Sequence, residues 1–150
     1  MNEELIEKSK VVLADTFLMY MKAHAYHWNV IGSDFPQLHD FFGELYEELH
    51  NAIDVLAEEI RMLDSFAPST LGRMIELSTL TEDEKIPVPQ TMVKNLYEAN
   101  QKVAQTIKEC YLLAEEQDEY AYSNILQDRL SAHAKHNWML KSLMQVKKVQ

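Results

Sequence analysis

The apolar positions of this chain fall into four long helical stripes separated by turn-forming clusters. Over residues 2–30, Ile6, Leu13, Phe17, Met21 and Trp28 recur at steps of four or seven, with Leu18 alongside. His24 falls in that stripe, and His27 sits at its edge in line with Tyr20. Gly32 and Ser33 break the pattern. Asp34 then stands as an N-cap, with Gln37 as its capping-box partner and Pro36 in the first turn. A second helix is predicted from there to about residue 63, with Leu38, Phe42, Leu45, Leu49, Leu56 and Ile60 as its stripe. Residues 64–90 form a connection of 27 residues. A structureless loop of that length is uncommon in a compact domain, so a short helix capped by Ser69 or Thr70 is expected through Leu77. The third long helix is predicted over 89–116. After the polar break "QDEY", the fourth is predicted over 120–146.

These elements make an all-α protein: a four-helix bundle with a short helix in the long crossover between helices two and three. Composition agrees. Hydrophobic residues make up 47% of the 150, with only three glycines and four prolines. That is enough chain for one domain over 1–150 with a sizeable core. No apolar run approaches the ~20 residues needed to cross a membrane. The N-terminus "MNEELIEKSK" lacks a signal peptide's apolar stretch. Cys110 is the one cysteine and has no internal partner, so a reducing cytoplasm is the expected compartment. The net charge of −10 argues against nucleic acid as a partner over most of the surface. The one basic cluster, Lys141, Lys147 and Lys148, lies at the C-terminus, where cations also suit a helix end.

The candidate chemistry lies in "HAYHWNV" and "DVLAEEIRML". Asp54 and Glu58 are at i and i+4 and share a helix face. Taken singly, such a pair is most often solvated, and His27 and His39 are most often structural histidines. Their placement sharpens the question. The chain reverses near Gly32, so His27 and His39 come to the same end of two antiparallel helices. Asp54 lies about 22 Å farther along the second helix and Glu58 about 28 Å. Metal–ligand bonds are about 2 Å long. One chain therefore cannot bring all four to one ion. A second copy packed antiparallel about a two-fold axis near Tyr46 to Leu49 can bring His39 of one chain to Asp54 and Glu58 of the other. A single-chain di-iron site would instead need two Glu-x-x-His motifs. Glu47 and His50 supply one, read here as a surface pair. The second is missing, because Leu130 and His133 stand three residues before His133 and His136.

The stretch "HAYHWNVIGSDFPQLHDFFGELYEELHNAIDVLAEEIRML" resembles the signature of the Dps mini-ferritins, the DNA-binding proteins from starved cells. The matching residues are His27-Trp28-Asn29, Gly32, Phe35, Leu38-His39, Asp54 and Ala57-Glu58. "APSTLGRMIELSTLTE" is similar to the family's crossover helix and "DRLSAHAKHNWMLKS" to its closing helix. The resemblance covers nearly the whole chain. It implies a ferritin-like bundle assembled as a hollow homododecamer, with ferroxidase sites at two-fold interfaces. His27 and His39 of one subunit and Asp54 and Glu58 of its partner would hold two irons, His39 serving a weaker second position. The implied activity is oxidation of Fe(II), commonly by hydrogen peroxide in preference to oxygen, with storage of a ferric mineral and protection against oxidative damage. Trp28 would intercept stray oxidising equivalents; its plainer reading is a core aromatic closing the bundle end. Asp118, Glu119 and Asp128 are the candidates for an iron-entry pore, with a solvated acidic turn as the plainer reading.

Three departures from the family pattern stand out. Gly43 replaces an aspartate four residues after the second histidine, which bears on the second iron position. Glu59 replaces an arginine, placing extra negative charge beside Glu58. The N-terminus is acidic rather than lysine-rich, so DNA binding is not expected. Two rival readings remain: a non-catalytic DNA-binding or scaffold shell with a weakened iron site, and a monomeric or dimeric carboxylate oxygenase.

Overall fold

The computed structural model describes residues 2–144, so the fourth long helix's last predicted residues, and Lys147 and Lys148, lie outside the described part. The elements are α1 (Glu3–Asn29), α2 (Phe35–Met62), α3 (Leu71–Leu77), α4 (Pro89–Glu116) and α5 (Tyr120–Met144). No strand occurs among the described residues. α1 packs along α2, α4 packs along α5, and α1 also meets α4 and α3. This is the expected four-helix bundle with a crossover helix.

The chain punctuates each reversal differently. Glu3 and Glu4 place negative charge in the first turn of α1, which favours the helix dipole. After α1, Gly32 adopts φ +110, a conformation that only glycine takes without strain. Pro36 pre-sets the first turn of α2. The expected capping box does not form: Asp34 stands at the N-cap position, but its side chain makes no capping bond. The start of α2 is instead tied by backbone bonds, Phe35 N–H to Gly32 O and Leu38 N–H to Asp34 O. Asp64 and Asp118 end α2 and α4 with positive φ, which aspartate tolerates better than most residues. Thr70, rather than Ser69, caps α3 by accepting from Arg73 N–H at 3.1 Å.

The core is one continuous cluster. Phe42, Leu49, Leu56 and Ile60 of α2 face Leu5, Leu13 and Met19 of α1, Met92, Leu96 and Ile107 of α4, and Leu126 and Leu140 of α5. Each such side chain contributes roughly 1.5–3 kcal/mol on burial. On α2 the expected stripe is the buried one. On α1 it is not. Leu5, Val12, Met19, Ala23 and Tyr26 form the buried face together with Leu13 and Leu18, while Met21 is 37% and Trp28 58% exposed. Trp28 is therefore not a core aromatic of the chain. The cause is that α1 has neighbours on three sides, so almost every residue from Val12 to Met19 is buried, including Asp15 and Thr16.

Polar pins hold the crossover. The Asp15 carboxylate, fully buried, accepts from Ser78 Oγ and Thr79 N–H, both at 2.7 Å, from Thr79 Oγ1 at 2.8 Å and from Thr106 Oγ1 at 2.9 Å. Farther along, Asp83 receives hydrogen bonds from Tyr26 and Lys22. The two carboxylate contacts set the path of the crossover over α1.

Candidate metal centre

His27 and His39 meet where α1 hands over to α2. Their rings stack with centroids 3.8 Å apart and planes 15° from parallel. His27 Nδ1–H donates to the His39 carbonyl oxygen at 2.7 Å, and His39 Nδ1–H donates to the His27 carbonyl oxygen at 2.7 Å. A carbonyl can only accept, so each Nδ1 must carry the proton. In the neutral rings both Nε2 atoms then keep a free lone pair, the form in which imidazole binds metals. The stacking adds a second constraint. With the ring planes only 15° apart, an ion ligated in the plane of one ring lies well out of the plane of the other. The two lone pairs therefore cannot converge on one ion. Each can serve an ion of its own.

Aromatic rings pack around this pair. His24 lies flat on Tyr46, centroids 3.8 Å apart and planes 7° from parallel, and it contacts Trp28 at 4.2 Å. Tyr20 Oη and His24 Nδ1 are hydrogen-bonded at 3.0 Å. Burial, followed by the neighbouring His27 and His50, pushes the His24 pKa below its ordinary value. Gly43 faces the Nδ1–Cε1 edge of the His27 ring: a Cβ there would stand 3.1 Å from both atoms.

Asp54 and Glu58 are exposed on α2, away from the histidines, and free of any ion pair to a described side chain. No group of three or more His, Cys, Asp or Glu among the described residues is arranged to hold a metal within one chain. Glu59 is turned inward, only 8% exposed, so it does not sit beside Glu58 as the sequence suggested. One residue step on a helix is a rotation of about 100°. Burial first, and then Glu119, raises the Glu59 pKa. Asp118 and Glu119 lie in the α4–α5 turn, with Asp118 accepting from Tyr120 Oη at 2.7 Å; Asp128 is exposed on α5. Glu47 and His50 are exposed, as expected for a surface pair.

Sequence reasoning missed a second polar assembly. Arg129 of α5 donates to both oxygens of Glu48 on α2, one of them at 3.0 Å. His136 Nε2–H donates to Glu48 Oε1 at 2.7 Å. Arg129 also donates to His133 Nε2 at 3.1 Å, which leaves His133 Nδ1–H to donate to Asn100 Oδ1 at 2.6 Å. Asn100 Nδ2 closes the set on the His133 carbonyl at 2.9 Å. Burial alone would raise the Glu48 pKa, but the His136 and Arg129 hydrogen bonds win and lower it to about 2. Burial, then Arg129 and His136, hold His133 well below its ordinary value. These two histidines are thus committed to packing. The available signal was phase: Glu48 lies one step from the buried Leu49, whereas Glu47 lies two. Cys110 is fully buried, and burial raises its pKa, as expected of an unreactive thiol.

The ferritin-like domain model matches residues 10–149 of the chain. General stress protein 20U of Bacillus subtilis is 34% identical over 147 residues, covering 96% of this chain and 99% of that protein. The DNA protection during starvation protein of Helicobacter pylori is 31% identical over 134 residues, covering 89% and 93%. The crystal structure of Dps from Staphylococcus aureus superposes with a TM-score of 0.92 at 26% identity, covering 97% of each chain. The chain belongs to the Dps family of ferritin-like proteins. In this Dps chain, family membership accounts for the bundle and its crossover helix. It also puts this chain among proteins of iron storage and stress protection.

Proposed function

We propose that this Dps chain is a ferroxidase subunit that oxidises Fe(II), with hydrogen peroxide as the preferred oxidant, and stores the ferric product inside a hollow homododecameric shell. The observation that carries this reading is the reciprocal clamp at His27 and His39, which leaves both Nε2 lone pairs available outside the ring stack. His27 and His39 bind one iron each. Asp54 and Glu58 of the neighbouring subunit complete the two positions across a two-fold interface, which agrees with their exposure and lack of intrachain partners. Imidazole nitrogen binds Fe(II), and the carboxylates favour the Fe(III) product more strongly. Two adjacent irons give one electron each to peroxide, so that with two protons it leaves as two waters and no hydroxyl radical is released. Trp28, exposed on the subunit and in contact with His24, stands where it can take up an oxidising equivalent that escapes. Asp118, Glu119 and Asp128 supply the acidic entry path for iron. The compartment is the cytoplasm, in keeping with the single buried cysteine. No described helix is long and apolar enough to cross a membrane.

The test is anaerobic loading with Fe(II) followed by peroxide, read as ferric absorbance. The native protein should oxidise iron fast, and an Asp54→Ala/Glu58→Ala variant of unchanged assembly should lose the fast phase. Equal rates no faster than buffer, together with retardation of DNA at physiological salt, would favour the non-catalytic DNA-binding shell. Relatives are named for DNA protection, but the charge of −10 weighs against that rival.

A further inference from the structure

We propose that Gly43 is a positioning residue for the histidine pair: its lack of a Cβ leaves room for the His27 ring edge that donates to the His39 carbonyl. Gly43 lies inside α2, far from either end, in ordinary helical geometry. Nothing in its backbone conformation calls for glycine, and glycine weakens a helix interior relative to alanine. A Cβ there would meet one thing within 4 Å, the Nδ1–Cε1 edge of the His27 ring, at 3.1 Å from both atoms. That edge carries the Nδ1–H held by the His39 carbonyl at 2.7 Å, in a ring stacked on His39 with centroids 3.8 Å apart. A shift away from position 43 lengthens the hydrogen bond that fixes the tautomer. The contrast with Gly72 is direct: it too lies in a helix, and a Cβ there meets nothing within 4 Å. A local choice that opposes helix propensity, made where a functional side chain packs, has the mark of a site requirement.

The functional part of this inference rests on the reading of His27 and His39 as iron ligands. The structural part does not, and two measurements separate them. The first is a double-mutant cycle of thermal unfolding on the full chain. With the ring removed in His27→Ala, Gly43→Ala should raise the midpoint as a helix-favouring change. With the ring present, the same substitution should raise it less or lower it. Gly72→Ala should shift both backgrounds equally. Equal shifts for Gly43→Ala in the two backgrounds would overturn the proposal. The second is nitrogen-edited NMR of the imidazoles alongside anaerobic Fe(II) titration. Gly43→Ala should disturb the hydrogen-bonded Nδ1–H signals of His27 and His39 and weaken Fe(II) binding about tenfold, the usual scale for losing support behind a metal ligand. Unchanged ring signals and affinity would also overturn it. Should the native chain fail to bind Fe(II) while the cycle and ring signals behave as stated, the ferroxidase reading falls and the positioning role of Gly43 stands.

Discussion

Removing the Asp15 carboxylate tests how the crossover is held. Four donors converge on it, one of them the Thr79 backbone N–H at 2.7 Å and three of them hydroxyls at 2.7–2.9 Å. Breaking a buried charged network typically costs about 3–5 kcal/mol, and Asp15→Ala should fall there. Asp15→Asn should cost much less, about 1–2 kcal/mol. A hydroxyl can reverse its role and accept from the new amide. Thr106 Oγ1 already has a second acceptor in the Lys102 carbonyl at 3.1 Å, so it is free to turn. The Thr79 N–H cannot turn, which directs the asparagine oxygen toward it. Urea unfolding at fixed protomer concentration reads the global loss, because assembly shifts apparent stability. Amide exchange at Thr79 reads the local one, and it should accelerate in the alanine variant beyond the global change. Losses below about 1 kcal/mol in both variants, or equal losses in the two, would refute the reasoning.

Other outcomes follow from the same structure. Acid should destabilise the fold in two windows: His133, held neutral well below its ordinary value, costs stability as pH falls below about 6.5, where the unfolded histidine takes a proton. Glu48, lowered to about 2, costs more as pH falls from about 4.5, and pH-dependent unfolding curves should show the first window shrink in His133→Asn to the part that His24 contributes. Arg129→Ala leaves Glu48 with His136 as its partner but strips His133 Nε2 of its donor, and should cost roughly 1–3 kcal/mol by denaturant midpoint. Leu96→Ala, at a fully buried position of α4, should cost about 2–5 kcal/mol. Cys110 should resist a thiol reagent until the chain unfolds, since it is buried and its pKa is raised.

The sequence made the helices legible because each reversal carries punctuation that does not depend on distant partners. Gly32, Pro36, Pro89 and the polar Gln117-Asp118 break mark ends to within three residues of α1, α2, α4 and α5. Phase was harder. α2 has one apolar face and was read correctly; α1 is enclosed on three sides, and its two apolar stripes cannot be ranked by period alone. Polar assemblies were least legible. Nothing in "VVLADTF" says that Asp15 will find Ser78, Thr79 and Thr106, since those partners are 63 to 91 residues away. Likewise Glu48, not Glu47, is the glutamate that binds a histidine; helix phase favours it, but its partners lie 81 and 88 residues away. For the site, chain reversal at Gly32 was enough to put His27 and His39 at one end. Their shared tautomer, and the space at Gly43 that permits it, required the coordinates.

The central claim is that iron is oxidised at a site built by two copies of the chain, and mixing defective subunits tests it most directly. A His27→Ala/His39→Ala chain and an Asp54→Ala/Glu58→Ala chain should each lack fast peroxide-driven Fe(II) oxidation. Unfolded together and reassembled, half the interfaces pair one of each, and each such pair regains one intact site of two. The mixture should therefore recover about a quarter of the native rate. A mixture as inactive as its components, with mixed assembly verified by mass, would contradict the shared site.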